Sequence, residues 1–233
     1  MNSIENISLF SLSWILLPVS IVIFIQVKWA LEIKTNLYAL LRMLIQLLMI
    51  GYFLVFIFKT DDPWIVTLVL AVMLLVASWI ALRTIKEHRY SLFGYGLLSI
   101  LVGGGSVLAV VIIGVLDLSP WYSTQFFIPL AGMIFASAMN SISLAAERYY
   151  AEIANDIPYH QARNKAFEAA LIPIVNSLFA VGLVSLPGMM TGQILSGVSP
   201  FIAARYQIMV MCMIFAASGL SAALFLYLIK DKK

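Results

Sequence analysis

The side chains able to do covalent chemistry are few. His88 and His160 are the two histidines of the chain, and Cys212 is its single cysteine. Hydrolysis by a nucleophile or a bound zinc needs such groups gathered beside a base or further metal ligands. No H-E-x-x-H occurs, and Gly105-Ser106 lies in an apolar run while both histidines fall in polar connections. A membrane-embedded serine or zinc protease is unsupported, as is any enzyme that needs convergent titratable groups. Cys212 lies within an apolar run, cannot close an internal disulfide, and reads as a small hydrophobe. There is no G-x-x-x-x-G-K-[ST] to cradle a nucleotide; Gly103-Gly104-Gly105 lies inside an apolar run and reads as close helix packing.

What remains is neutral and polar, or soft. Ser137, Asn140, Ser141, Ser143, Asn176 and Ser177 could line a polar path or hydrogen-bond between helices. Methionine occurs 11 times, with Met133, Met139, Met189, Met190, Met209, Met211 and Met213 in the second half. Thioethers suit soft ions such as Cu(I), but with no carboxylate nearby these methionines read first as adaptable packing. Arg42, one turn before Gln46, is either an anchor snorkelling from a membrane interface or a group facing a cavity or partner. The candidate translocation path is Arg42, Gln46, Met133, Asn140, Asn176, Met189, Met190 and Gln193. Pro187, Gly188, Gly192 and Gly197 are expected to matter through the backbone, Gly188 and Gly192 by permitting a path closed to β-branched residues. Gly132 with Ala136, Ser137 with Ser141, and Gly188 with Gly192 fit either packing within one chain or a homodimer seam.

The elements that position these groups follow from composition. Of 233 residues, 63% are hydrophobic and 11% charged, with a mean hydropathy of +1.01. A soluble domain is about one-quarter charged, so lipid is the expected solvent. Seven stretches approach the length of a crossing: Leu9–Val27, Leu37–Phe58, Pro63–Leu82, Tyr95–Leu116, Gln125–Ala146, Ala169–Leu186 and Tyr206–Ile229. They must be helical, since open strands leave backbone groups unsatisfied in lipid, and they are too long for barrel strands. The first has no basic residues before it and outruns a signal-peptide core, so it reads as a retained span.

Seven crossings put Lys28, Lys34, Arg42, Arg83, Lys86, Arg89, Arg148, Arg163, Lys165, Lys230, Lys232 and Lys233 on one side. The other side keeps Lys59 and Arg205, which orients the chain N-out and C-in in the cytoplasmic membrane. The net charge of +3 is thus a topology signal, and no basic patch is left for nucleic acid. Glu147–Glu168 is expected to be a cytoplasmic helix–turn–helix broken at Pro158. Residues 186–205, rich in Gly and Pro, read as a broken, re-entrant-like external segment before the last span. Arg42 alone brings charge into a span, so a proton-driven carrier lacks its buried titratable group. The whole chain, 1–233, reads as one all-α transmembrane domain.

Several segments carry a family resemblance. Val184–Gln207, VSLPGMMTGQILSGVSPFIAARYQ, resembles the LPGMM-T/S-G…G…P…A…YQI signature of the FetB-type iron-export ABC permease family, which includes the plant aluminium-sensitivity permeases. Ile128–Met133 with Ala138-Met139-Asn140 is similar to its P-x-A-G-M…N-x-M block. Ala170–Pro173 and Arg42…Gln46-Leu47 with Gly51-Tyr52 fit as well. The resemblance implies the membrane half of an ABC transporter exporting a metal ion (iron) or small solute. Two copies would pair with two cytosolic ATPase subunits, which bind the ATP and Mg; this chain would hold no cofactor itself. Glu147–Glu168 would then be the coupling element, with Glu152, Asp156, His160, Arg163 and Lys165 docking the ATPase. Residues 152–165, EIANDIPYHQARNK, are shorter than the family's stretch and lack its L-G-A-T/S-type turn. The competing reading is an ATP-independent channel or a membrane scaffold.

Overall fold

The structure is a computed structural model that describes residues 8–57 and 62–230. Phe58 and Lys59 at the end of the second expected span, and Lys232 and Lys233, lie outside the described residues. Helix dominates, as it must where lipid offers the backbone no hydrogen bonds. The chain divides near residue 60 into two compact units.

The first unit holds α1 (Leu9–Ser13), α2 (Leu16–Lys28) and α3 (Lys34–Ile57). Ser8 caps α1 by accepting from the Ser11 N–H at 3.0 Å. No residue of α2 is buried, and the apolar stretch of α3 is equally bare. Phe24, Leu47 and Leu48 all stand exposed. Faces this apolar need lipid or protein over them.

The second unit is a helical bundle. α4 (Pro63–Ala81) starts where the Asp62 side chain accepts from the Trp64 N–H at 2.8 Å and Pro63 presets the first turn. α5 (Arg89–Ser99) runs into a π-helical stretch (Ile100–Gly104), α6 (Gly105–Ala109) and a second π-helical stretch (Val110–Val115). Next come α7 (Thr124–Ile153), α8 (Tyr159–Ala180), the short α9 (Gly188–Leu195) and α10 (Pro200–Leu228). Among the described residues six helices are long and apolar enough to cross a membrane.

Several boundaries differ from the sequence expectation; α5, for one, starts at Arg89 rather than Tyr95. The stretch Ala169–Leu186 is not one helix. α8 stops at Ala180, Val181 turns extended and Gly182 takes φ +84°, its N–H reaching Ser185 O at 3.0 Å. Because α8 also begins in polar sequence at Tyr159, it is not among those six helices. α10 starts at Pro200 rather than Tyr206, because proline at the first helical position loses nothing there. α7 carries its helix seven residues beyond Ala146, to Ile153.

α7 and α10 form the centre, and small residues let them be approached closely. On α7, Ala131, Ala138, Ala145 and Ala146 are fully buried beside Ile134 and Ile142. α8 turns Ala162, Ala166 and Ala170 inward at four-residue spacing, and α10 contributes Ala217, Ser221, Ala222 and Phe225. The expectation of close packing at Gly103 is met. A Cβ there would lie 2.7 Å from Ser221 N and 2.9 Å from Ser221 Cα, so α10 backbone occupies the space. At Gly104 the neighbour is Ile134 Cγ2 at 2.9 Å.

Gly103→Val should therefore push α10 away, at a cost of about 3 kcal/mol or more. Gly114→Ala, with nothing within 4 Å, should be neutral or mildly stabilising. Thermal unfolding in detergent compares them; equal melting of Gly103→Val and wild type would refute this contact.

Candidate functional site

The charged hairpin is built by the end of α7, the turn 154–158 and the start of α8. Asp156 takes φ +58°, its N–H reaching Ile153 O at 3.0 Å, while the Ile157 N–H bonds Glu152 O at 3.2 Å. Pro158 precedes the first turn of α8, where a proline breaks no bond. Glu152 is buried at 7% exposure, and its carboxylate holds two cations. Lys165 Nζ donates to its Oε2 at 2.8 Å, and Arg148 pairs with its Oε1. Tyr159 donates from its hydroxyl to Leu226 O at 3.0 Å, tying the hairpin to the last turn of α10.

Of the five expected coupling residues, the structure joins Glu152 and Lys165. Asp156 and His160 are exposed, the latter edge-on to Tyr159 at 5.4 Å. Arg163 bonds the neighbouring Asn164 Oδ1 at 2.9 and 3.1 Å. The sequence marks Arg148 only as a charge on the basic side; its pairing with Glu152, four residues on along one helix, is the signal that adds it to the coupling residues. Beside the hairpin His88 stacks on Tyr150, rings 4.5 Å apart, over a cavity of about 510 Å³ between residues 84–88 and the end of α7.

Between α7, α8 and α10 opens a neutral cavity of about 220 Å³, largely apolar but with hydroxyl and amide groups in its wall, and Asn140 and Ser177 lie on its exposed side. Ser137, Asn140 and Ser141 of α7 line it with Ser177 of α8 and Ser218 of α10. Ser141 donates to Ala170 O at 3.4 Å and Ser177 to Pro173 O at 2.9 Å. No charged residue lines this cavity. The sequence reading had grouped four of these residues. Ser218, buried on a helix 41 positions beyond Ser177, carried no local signal. Asn176 is exposed and does not line it.

Met133 and Met189 line a second cavity of about 310 Å³, while Met190 lines a third of about 350 Å³. Gln193 sits half-buried on α9 with its Oε1 lacking a hydrogen-bond partner. Arg42 and Gln46 lie on α3 in the first unit, half-buried and exposed. Pro187 precedes α9 in an extended conformation. Gly188 and Gly192 do not meet the expectation attached to them. Both are ordinary helical positions in α9, and an added Cβ would find nothing within 4 Å. The strained position is Gly197, whose φ of +91° suits glycine and few other residues.

Glu152→Gln should leave two cations without their carboxylate and loosen the hairpin, seen as a lower melting temperature. A double-mutant cycle with Lys165→Met reads the coupling; additive effects would show that the pair does not hold the hairpin.

The chain matches the model of the family described as "Uncharacterised protein family (UPF0014)" over residues 9–232. It is 42% identical to a UPF0014 membrane protein of Synechocystis, across 77% of this chain and 75% of that one. It is 35% identical to the "Probable iron export permease protein FetB" of Escherichia coli, across 97% and 91% of the two chains. With the Arabidopsis protein "ALUMINUM SENSITIVE 3" it shares 30% identity across 82% and 74%. No solved structure matches. The chain belongs to the UPF0014 family.

Proposed function

We propose that this member of the UPF0014 family is the permease subunit of an ABC transporter, two copies of which work with two cytosolic ATPase subunits to export a metal ion or small solute. The observation that carries the reading is the cross-braced hairpin. Lys165 and Arg148 grip Glu152 on one side of the turn, and Tyr159 grips the end of α10. A partner pressing on such a turn moves α7, α8 and α10 together, and these three helices line the neutral cavity. That is the mechanical link by which closure of an ATPase pair could gate a pathway. The name of the Escherichia coli relative supports the transport role and puts iron among the candidate cargoes.

In this reading α8 is a seventh crossing. Its charged start, Tyr159–Glu168, stays outside the hydrocarbon core; the uncharged Ala169–Ala180 makes about 18 Å of helix, and the apolar stretch 181–186 carries the chain across the rest. The five crossings before it put Arg148, Arg163 and Lys165 on the basic cytoplasmic side, and with α8 crossing, α9 approaches the outer face and Lys230 returns to the inner one. The orientation is N-out and C-in in the cytoplasmic membrane. The short α9 and the turn 196–199 then form the broken external segment, with ATP and Mg held by the partner.

Two measurements test this. In a Cys212→Ser background, Asp156→Cys should react with an impermeant maleimide only from the cytoplasmic side, and Leu183→Cys only from outside. Labelling of both from one side would eliminate the seventh crossing. Reconstitution with a cytosolic ABC ATPase should raise ATP hydrolysis several-fold, and Lys165→Glu should suppress that stimulation. No binding and no stimulation by any such ATPase of the source cell would favour an ATP-independent channel or scaffold.

A further inference from the structure

Two cavities flank α9, and sulfur lines both. Met133 of α7, Met189 of α9 and Met209 of α10 line the first, of about 310 Å³. Met190, Met211 and Cys212 line the second, of about 350 Å³. Consecutive residues of a helix point about 100° apart, which is how Met189 and Met190 serve different cavities from one turn. In the sequence these methionines read as packing material. In the structure Met133, Met189 and Met209 still pack against the hydrophobic core, and they also line one cavity from three separate helices.

The chemistry of that set is narrow. A thioether is neutral, has no proton to lose, and is a soft donor that favours Cu(I) over hard cations. No Asp, Glu or His lines either cavity, and among the described residues no three of His, Cys, Asp and Glu gather into a metal site. With no anionic ligand to offset charge, a divalent ion is penalised more than a monovalent one. The second cavity adds an independent sign. Gln207 lines it at 5% exposure, and its buried Oε1 has no hydrogen-bond partner. A buried carbonyl oxygen left without a donor is costly, and a cation beside it would satisfy it.

We propose that the cavity of Met133, Met189 and Met209 binds a soft monovalent cation, Cu(I) or Ag(I), through its three thioethers, with the sulfur-lined cavity on the other side of α9 as a second station. Binding does not depend on the transporter reading; only the notion that the ion is cargo rests on it.

The test is silver titration of the purified full-length protein in chloride-free detergent buffer, followed by calorimetry, without any ATPase. Cys212→Ser serves as the parent so that the thiol does not mask thioether binding. The parent should bind silver, and Met133→Leu/Met189→Leu/Met209→Leu should weaken that binding at least tenfold or remove one equivalent. Leucine preserves apolar bulk, and thermal unfolding without silver reports whether the triple variant folds. If it does not, Met189→Leu alone is compared, with an expected loss of severalfold. X-ray absorption at the silver edge of the parent should show sulfur neighbours. Absence of binding, equal binding by the variants, or a shell of oxygen and nitrogen alone would overturn the site. A transporter that couples to its ATPase yet fails this titration would keep the proposed function and lose the sulfur site.

Discussion

Helices surrounded by lipid gain little by hiding one more leucine from it, since the tails are as apolar as the side chain. What holds them together is closeness, and closeness requires small residues at the crossing points. In the second unit this condition is met where Gly103 lies against the backbone of Ser221, and along the alanine stripes of α7 and α8. The arrangement of α7, α8 and α10 follows from those contacts. So does the presence of cavities, because helices fixed at a few close crossings diverge elsewhere, and Pro129 and Pro173 adjoin two of the resulting gaps.

Much of this was legible in the sequence where a local rule decided it. The span expected from Pro63 does start there, and Pro158 marks the hairpin turn. The glycine triplet reads as close packing because no charge accompanies it. The boundaries of α8 were not legible. An uncharged run says that a segment can sit in lipid, but not where the backbone turns, and the turn at Val181-Gly182 lies among apolar residues. Gly197 was marked together with Gly188 and Gly192, though only Gly197 has the positive φ. Spacing alone cannot separate a glycine needed for its torsion from one that merely occupies a helix.

The site residues divide along the same line. Glu152 with Arg148 is an i, i+4 pair visible on one helix, whereas Lys165 meets Glu152 only because the turn folds α8 back. Ser218 joins Ser137 and Ser141 through tertiary packing, with nothing local to suggest it. The two kinds of cavity differ in the solute they would suit. Hydroxyls and an amide offer hydrogen bonds to a neutral polar group, while thioethers offer polarisable electron pairs to a soft ion.

The π-helical stretches Ile100–Gly104 and Val110–Val115 carry a further consequence. A π turn holds one residue more than an α turn can, so each stretch behaves as an insertion absorbed without a loop. The face of the helix is re-phased at each, and the rows of side chains before and after are offset by the angle of one residue. The first stretch brings Gly103 and Gly104 against two different helices, α10 and α7, from adjacent positions. A one-residue deletion there would leave hydropathy, length and charge nearly unchanged and still rotate one half of the helix against the other. In this chain, the exact residue count between two apolar ends is itself structural information.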